Sequence, residues 1–201
     1  MIALLKDRDI TNECLLRAMA TVERHLFVPE AFKNRAYEDS ALPIGSGQTI
    51  SQPYTVAFMT QVLQVKKGDK VLEVGTGSGY QAVILAEMGA RVFTIERDLD
   101  LLAGARKMFD KLGYRIASKG GDGTVGWTEF APFDGIIVTA GAPNVPQPLL
   151  DQLADGARLV IPVGDLDIQT LTVCTRNGDK FDHREIEGFK FVPLIGKMGW
   201  R

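Results

Sequence analysis

The order of apolar and polar positions predicts alternating strands and helices along much of the chain. Short runs rich in β-branched residues at positions 70–74 and 91–95 alternate with helical patterns at positions 80–88 and 99–112. Such alternation is typical of βαβ units that build a parallel sheet. The run at positions 134–139 is nearly all apolar, as expected for a strand that is buried on both faces.

The later part of the chain changes from this alternation to strand after strand. Further strands are predicted at positions 115–119, 133–139 and 157–163, with a helix near 148–154. Beyond Gly164, strand patterns follow at 168–175, 181–188 and 190–194, and Asn177-Gly178 is a typical hairpin turn. We therefore predict an α/β fold: an open, doubly wound sheet that is mostly parallel, with antiparallel C-terminal strands. Its ligand crevice should lie at the carboxyl ends of the first strands.

The first third of the chain has a different pattern. An amphipathic helix is predicted over positions 11–26, with an apolar stripe at four-residue spacing made of Ile10, Cys14, Ala18 and Val22. Positions 27–53 are rich in Pro, Gly, Ser, Asn and Asp and show no sustained period. A long irregular segment inside a compact domain is usually functional. A second helix is predicted from about Tyr54, with one face of Phe58, Val62 and Val65 and an end at positions 66–69.

Composition and length set the class of protein. The 201 residues, 45% hydrophobic and 24% charged, predict one domain, in which residues 1–65 carry the first helices and the irregular segment and residues 66–201 form the sheet core. The net charge of -2 gives no basic field for phosphate backbones, so we expect no nucleic-acid partner. We expect the protein to be a monomer.

The sequence also bears on the compartment and on metal sites. No apolar run approaches the roughly 20 residues of a membrane span, and the first residues lack a secretion signal, so we expect a cytoplasmic protein with no membrane partner. Cys14 and Cys174 lie far apart and form no metal-binding pair, and we expect both to be buried, reduced thiols. No metal site is predicted.

A glycine-rich loop directly follows the first strand of the core. It consists of Gly75, Thr76, Gly77, Ser78 and Gly79, with Tyr80 opening the next helix. Glycines let the backbone turn tightly and approach a ligand, and helix N-terminal amides face the crevice. A dinucleotide fingerprint needs the spacing GxGxxG, whereas the spacing here is GxGxG. The loop therefore argues against NAD and is similar to the cofactor loop of class I methyltransferases, although a tight turn without a ligand is also possible.

Two acidic positions strengthen the case for an adenosine ligand. Glu96 ends the second strand, where a carboxylate can accept both hydroxyl protons of a ribose. Asp122 and Gly123 follow the third strand, where class I methyltransferases often hold the adenine amino group. Each feature alone has a structural explanation, a strand end in solvent or a simple turn. Their order on successive elements favours S-adenosylmethionine as the cofactor.

Residues 42–54, with the sequence LPIGSGQTISQPY, resemble the hallmark segment of the protein-L-isoaspartate O-methyltransferases. Flanking stretches are similar to that family as well, including RHLFVP at 24–29, AYED at 36–39 and FVPL at 191–194. The resemblance extends from about Arg24 to about Leu194, and the tail at 195–201 has no close equivalent. It implies a Rossmann-like class I methyltransferase sheet and methyl transfer to the free α-carboxylate of L-isoaspartyl residues in damaged proteins and peptides. The ester then closes to a succinimide, whose hydrolysis restores some normal linkage.

The resemblance also implies roles for residues around the crevice. Thr49 and Ser51 are the natural hydroxyl donors to an anion, and the resemblance places the Ser51 hydroxyl at the reacting carboxylate. It places the substrate peptide along Gln48, Ile50, Val192, Pro193 and Leu194. An α-carboxyl group ordinarily has a pKa of roughly 3.5 and is already ionised at neutral pH, so no general base is needed. This agrees with the sequence, because neither His25 nor His183 lies in a motif. Ser51 has a structural alternative, since a serine before Pro53 can cap a helix.

Other functions remain open from the sequence. A methyltransferase acting on a small-molecule oxygen or nitrogen would keep the glycine loop and Glu96 but would not need residues 42–54. An NAD-dependent oxidoreductase conflicts with the glycine spacing. A non-catalytic homologue would bind S-adenosylmethionine yet leave an isoaspartyl peptide unmodified.

Overall fold

The computed structural model describes all 201 residues. Its strands are β1 (Leu42–Gly45), β2 (Gln48–Ile50), β3 (Lys70–Val74), β4 (Arg91–Glu96), β5 (Ala117–Gly120), β6 (Phe133–Val138), β7 (Leu153–Gly164), β8 (Gln169–Asn177) and β9 (Lys180–Phe189). Its α-helices are α1 (Ile2–Asp7), α2 (Glu13–Thr21), α3 (Pro53–Leu63), α4 (Tyr80–Glu87), α5 (Leu99–Leu112) and α6 (Gln147–Asp151). Short 3₁₀ helices lie at Arg24–Phe27, Glu30–Arg35, Gly123–Val125 and Thr128–Phe130.

Seven strands form the main sheet in the order β5-β4-β3-β6-β7-β8-β9. The five strands from β5 to β7 pair in parallel, and β8 and β9 then pair antiparallel. This confirms the predicted α/β sheet with antiparallel C-terminal strands. The turn between β8 and β9 is formed by Gly178 and Asp179, one residue beyond the predicted pair, because Asn177 still pairs with Lys180. The chain runs outward from β3 to β5 and returns on the other side of β3 to form β6. The strand order therefore reverses beside β3, and a ligand crevice is expected at its carboxyl end.

The central strand β3 is buried from both sides. Val71 packs into a large apolar cluster with residues of α2, α3, α4 and α5, whereas Leu72 and Val74 pack into a second cluster with β6 and α6. This alternation follows from the two-residue period of a strand. The carboxyl end of β3 is thus fixed between two cores, and so is the glycine loop that begins at Gly75.

The first predicted helix is too long, and its predicted stripe is partly wrong. The α2 helix covers only Glu13–Thr21, with the Asn12 side chain accepting a hydrogen bond from the Leu15 amide at its start. Cys14 is exposed, so the prediction of two buried thiols holds for Cys174 but not for Cys14. Ile10, Ala18 and Val22 of the predicted stripe are buried, but Ile10 and Val22 lie outside α2, and Cys14 lies one position before the buried face begins. The residues of α2 that are buried are Leu15, Leu16, Ala18 and Met19.

The second predicted helix is present as α3 but ends earlier than expected. It stops at Leu63, because Gln64 has a left-handed conformation with φ of 60°. The face predicted from Phe58 and Val62 is only half-buried. The Phe58 ring instead packs against Phe189 at the end of β9, with a centroid distance of 5.5 Å.

The segment predicted to be irregular contains regular structure. It includes two 3₁₀ helices and the hairpin of β1 and β2, in which Leu42 pairs with Ile50. The hairpin turn uses left-handed backbone at three successive residues, Gly45, Ser46 and Gly47, with φ values of 100°, 51° and 68°. Such short strands were hidden because glycine and proline dominate the local sequence.

The strand predicted at 190–194 is absent from the sheet. β9 is the edge strand and ends at Phe189, and the following segment meets Gly141 through a single bridge at Pro193. Proline has no N–H to donate, which limits continued pairing. The segment crosses the carboxyl edge of the sheet and ends beside β6. None of the helices combines the length and the apolar character that crossing a membrane would require.

Candidate active site

A cavity of about 1070 Å³, including its open mouth, lies at the carboxyl edge of β3, β4 and β6. The β1–β2 hairpin and the segment at 192–195 form its other walls. Most residues predicted for the site line this one cavity: Gln48, Thr49, Ile50, Ser51, Gly75, Thr76, Gly77, Ser78, Glu96, Gly123, Val192, Pro193 and Leu194. Gly79 and Asp122 are the two predicted residues that do not line it. The structure thus brings the predicted cofactor and substrate residues together.

The glycine loop fits its neighbours so closely that side chains are excluded. Gly75 has φ of 97°, and a Cβ there would collide with the hydroxyl of Thr139, which donates a 2.7 Å hydrogen bond to the Gly75 carbonyl. Gly79 has φ of 85°, and a Cβ there would lie 2.6 Å from the ring of Phe109. Gly79 therefore serves the packing of α4 against α5, while the preceding residues face the cavity. This cradle fits the predicted nucleoside cofactor, because its backbone is open to close approach.

Glu96 stands at the end of β4 as predicted, with a side chain that is nearly buried. Its two carboxylate oxygens accept hydrogen bonds from the amides of Gly77 and Asp98, each at 2.9 Å. A carboxylate has about four acceptor positions, so lone pairs remain for a ligand. Glu96 thus fixes the glycine loop to β4 and presents an anionic acceptor to the cavity.

Asp122 caps the 3₁₀ helix Gly123–Val125 and also binds the C-terminal tail. One carboxylate oxygen accepts from the Thr124 amide at 2.9 Å and the Thr124 hydroxyl at 2.7 Å, and the other accepts from the Lys197 amide at 2.7 Å. Burial raises the pKa of Asp122, but these hydrogen bonds outweigh it and hold the pKa below its ordinary value. The tail beyond Leu194, for which the sequence offered no role, therefore contacts a predicted cofactor residue.

Ser51 follows β2 and faces the cavity with its hydroxyl free of protein hydrogen bonds. The alternative role as a helix cap is wrong, because the N-cap of α3 is Gln52 and no side chain bonds there. Thr49 is exposed on the hairpin, and the side chain of Ile50 is buried in the core, 4% exposed. The hydroxyls of Ser51 and Thr49 are both free of protein hydrogen bonds, and Ser51 is the more buried of the two.

The segment from Val192 to Leu194 is held firmly against the end of β6. The Gly141 amide donates to the Val192 carbonyl at 2.8 Å, and the Leu194 amide donates to the Gly141 carbonyl at 2.7 Å. The Trp200 indole donates to the same Gly141 carbonyl at 3.1 Å. The cavity wall at this end is thus a backbone clamp, hydrogen-bonded to Gly141, rather than a strand of the sheet.

A buried carboxyl lies directly beneath the glycine loop. Burial raises the pKa of Glu73 to about 8, although the Thr94 hydroxyl, which donates to it at 2.5 Å, acts in the opposite direction. The Thr94 hydroxyl also lies 2.6 Å from the Thr76 hydroxyl at the cavity wall. This series of hydrogen bonds, from Glu73 through Thr94 to Thr76, joins the interior of the sheet to the glycine loop.

Other chemical groups in the cavity are few. Neither histidine lines it: His25 bonds to the Tyr37 hydroxyl at 2.8 Å, and His183 lies 3.2 Å from the Cys174 sulfur. No group of three or more His, Cys, Asp or Glu side chains is arranged for a metal ion.

Several residues of the site were not predicted from the sequence. Ser46, Thr55, Tyr80, Asp98 and Ile195 all line the cavity. Their positions next to predicted residues were a usable signal, since Tyr80 follows the glycine loop and Asp98 lies two residues after Glu96. Arg24, whose guanidinium lies behind Ser51, had no signal in the spacing of the chain.

Comparisons with known proteins agree with this arrangement. The family model described as protein-L-isoaspartate(D-aspartate) O-methyltransferase matches residues 1–199. The protein-L-isoaspartate O-methyltransferase of Chlorobaculum tepidum is 55% identical, with 100% of this chain and 94% of that protein covered. The enzyme of that name from Dictyoglomus thermophilum is 49% identical, with 100% and 92% covered.

Solved structures give the same result. A structure described as protein-L-isoaspartate O-methyltransferase matches with a TM-score of 0.91 and 26% identity, covering 98% of this chain and 66% of that one. A Plasmodium falciparum protein of the same description, in complex with S-adenosyl-L-homocysteine, matches with a TM-score of 0.83 and 27% identity over 96% of both chains. The fold is therefore that of a class I methyltransferase, and this chain belongs to the protein-L-isoaspartate(D-aspartate) O-methyltransferase family.

Proposed function

We propose that this protein transfers the methyl group of S-adenosylmethionine to the free α-carboxylate of L-isoaspartyl residues in damaged proteins and peptides. The observation that carries the proposal is the family match over residues 1–199. The cavity supports it, because the glycine loop and Ser51 line the same space. The product ester closes to a succinimide, and hydrolysis of that ring begins repair of the chain.

The reaction needs positioning more than acid–base catalysis. A carboxylate oxygen forms a bond to the methyl carbon while the bond from that carbon to sulfur breaks, and no proton is transferred. The α-carboxyl is ionised at neutral pH, which removes the need for a base. The absence of both histidines from the cavity is consistent with such a nucleophile. Holding the two reactants in line then supplies most of the catalysis.

The cofactor side of the cavity is assigned to the residues around the glycine loop. When bound, S-adenosylmethionine supplies a methyl group activated by a positive sulfur. The backbone of Gly75, Thr76, Gly77, Ser78 and Gly79 makes room for the ligand, with Gly79 acting through its packing. Glu96 accepts hydrogen bonds from the ribose hydroxyls. Gly123 contacts the adenine end, and Asp122 holds the turn that carries Gly123 in place.

The substrate side is assigned to the hairpin and to the clamp at Gly141. Ser51 donates its free hydroxyl to the reacting carboxylate, with Thr49 as a second donor. Gln48, Ile50, Val192, Pro193 and Leu194 lie along the isoaspartyl peptide. Contacts made largely by backbone suit a substrate that arises at aspartyl and asparaginyl sites of many proteins. Broad substrate range follows from this mode of binding.

A paired-peptide assay tests the proposal. Purified protein is incubated with labelled S-adenosylmethionine and two peptides that differ only in an aspartyl or isoaspartyl linkage. We expect base-labile methyl ester on the isoaspartyl peptide alone. Cofactor binding without isoaspartyl-selective labelling would overturn the proposal and leave a non-catalytic binding protein or an enzyme with a small-molecule substrate.

The setting of the reaction is part of the same proposal. We infer a cytoplasmic monomer that acts on proteins and not on nucleic acid. The net charge of -2 supports the last point, because it provides no basic field for phosphate backbones. Light scattering of the purified protein measures the mass directly. A dimer mass that persists on dilution would contradict the monomer.

A further inference from the structure

Arg24 is a completely buried arginine immediately behind the wall of the cavity. Its exposure is 0%, and it does not line the cavity itself. Its guanidinium instead contacts two residues that do, the backbone of Ser51 and the ring of Tyr80. The proposed reaction assigns no role to this side chain.

The guanidinium fixes the backbone on which Ser51 stands. Its Nη2 donates to the Ser51 carbonyl at 2.7 Å, and its Nε donates to the Ala36 carbonyl at 2.7 Å. Its centre lies 4.9 Å from the centroid of the buried Tyr80 ring. Four separate segments therefore meet at this one side chain: the 3₁₀ helix Arg24–Phe27, the end of the 3₁₀ helix Glu30–Arg35, the end of β2 and the start of α4.

The positive charge of Arg24 has no carboxylate partner. None of the salt bridges includes it, and its Nη1 is buried without a hydrogen-bond partner. Asp39 is the one carboxylate whose charge raises the pKa of Arg24. It is already paired with Arg8 at 2.7 Å and accepts a hydrogen bond from the Tyr54 amide at 2.8 Å. Without an opposite charge, this buried cation has only two carbonyl hydrogen bonds and the Tyr80 ring to offset its lost hydration, and burial lowers the pKa of Arg24. Its position behind Ser51 suggests that an anion entering the cavity compensates it.

We propose that Arg24 positions Ser51 through its backbone carbonyl and supplies the positive potential that favours an anionic carboxylate at that hydroxyl. The inference rests on the proposed function, since the anion is the α-carboxylate of the isoaspartyl substrate. Nε and Nη2 of Arg24 donate hydrogen bonds to carbonyl oxygens of two different segments. The charge therefore stays in place while the substrate enters and leaves. Arg24 is thus a positioning residue that also sets charge preference.

The test compares Arg24→Met, which removes the charge at similar length, with Arg24→Lys, which keeps the charge but loses the forked donors. Arg17→Met is the matched control, because Arg17 is exposed on α2 and its loss changes the net charge equally. Affinities are measured for S-adenosylhomocysteine, for an isoaspartyl peptide, and for the same peptide with its α-carboxyl converted to a neutral amide. The ratio of the two peptide affinities reports charge preference and is unaffected by a general loss of folding.

We expect Arg24→Met to reduce the preference for the carboxylate peptide about tenfold, as for one charge a few ångströms away in a partly polar medium. Affinity for S-adenosylhomocysteine should stay within about twofold, and the control should behave as wild type. Arg24→Lys should keep the preference while its kcat falls, because the Ser51 carbonyl loses its aligned donor. A preference that is unchanged in Arg24→Met overturns the inference.

If Arg24→Met does not fold, Arg24→Lys decides alone. Loss of the carboxylate preference in Arg24→Lys with normal S-adenosylhomocysteine affinity would overturn the inference, and a retained preference with reduced kcat would support it. Wild-type protein that fails to methylate the isoaspartyl peptide indicates failure of the proposed function itself. Wild-type methylation with no Arg24 effect indicates failure of this inference only.

Discussion

At the scale of single residues, Ser51 has a hydroxyl that faces the cavity and makes no hydrogen bond within the protein. We expect Ser51→Ala to lower kcat for an isoaspartyl peptide about tenfold or more, because a donor aimed at the reacting oxygen is lost. Affinity for S-adenosylhomocysteine should not change, since Ser51 lies on the substrate side. Steady-state kinetics with calorimetric binding check this, and Ser40→Ala, outside the cavity, is the control.

Glu96 should show the opposite pattern. Glu96→Ala removes the proposed ribose acceptor and also frees the Gly77 amide from its 2.9 Å hydrogen bond. We expect the dissociation constant for S-adenosylhomocysteine to rise about tenfold, in line with loss of a hydrogen bond to a charged group. Glu129→Ala, at an exposed position, is the matched control. Normal cofactor affinity in Glu96→Ala, together with weak cofactor binding in Ser51→Ala, would reverse our assignment of roles.

Glu73 predicts a pH dependence of stability. Burial raises its pKa from 4.5 to about 8, so the folded chain keeps a proton that the unfolded chain releases between these values. Stability should therefore fall as pH rises through this window and level off above it. Glu73→Gln, which stays neutral, should gain stability relative to wild type by on the order of 1 kcal/mol per pH unit across the window.

Urea unfolding at several pH values between 5 and 8 measures this effect of Glu73→Gln. The exposed Glu129→Gln variant should show a constant difference from wild type over the same range. A stability difference for Glu73→Gln that does not depend on pH would show that the buried carboxyl ionises as readily as in the unfolded chain.

At the scale of elements, the C-terminal tail lies against Asp122, beside the proposed adenine end of the cavity. A Cβ at Gly196 would collide with the carboxylate of Asp122, and the Lys197 amide already bonds that carboxylate at 2.7 Å. We expect Gly196→Ala to displace the tail and to weaken S-adenosylhomocysteine binding several-fold, since a displaced tail leaves Asp122 less well oriented. Gly104→Ala, in α5 with no atom near the added Cβ, is the control. Unchanged affinity in Gly196→Ala would separate the tail from cofactor binding.

The elements that could be predicted are those with strong periodicity or a motif tied to a strand end. The helix at positions 99–112 was predicted with both ends correct, because Asp98 caps its start and Gly113 ends it. The hairpin around Gly45 and the clamp at Gly141 could not be predicted in the same way. Short strands rich in glycine or proline carry almost no period, and their shape depends on contacts with distant residues.

The site follows the same division. Residues that act through local motifs, such as Glu96 at the end of β4, were predicted and lie at the cavity. Arg24 and the Lys197 amide contact the site from 27 and 75 positions away from their partners, Ser51 and Asp122. No local sequence pattern encodes such contacts, so they can be identified only in the folded structure.

At the scale of the whole molecule, residues 1–65 and residues 66–201, called the two halves below although they differ in length, share one apolar cluster. A single cluster contains Leu15 of α2 and Met59 of α3 together with Val71 of β3 and Ile84 of α4. Neither half can keep its buried face without the other, so we predict one cooperative unfolding transition. The cavity is likewise built from both halves, and a ligand that binds it should stabilise both equally.

Thermal unfolding followed by far-ultraviolet circular dichroism and by tryptophan fluorescence tests this unity. Both tryptophans, Trp127 and Trp200, lie within residues 66–201, whereas helices of both parts contribute to the circular dichroism. The two signals should share one unfolding midpoint. S-adenosylhomocysteine at about 100 times its dissociation constant should add about 2.7 kcal/mol to the free energy of unfolding and raise the midpoints of both signals equally. Two midpoints, or a ligand shift confined to one signal, would show that residues 1–65 unfold separately. Ser51 would then stand on a segment able to open independently of the cofactor loop, and positioning by Arg24 would be lost each time that segment opened.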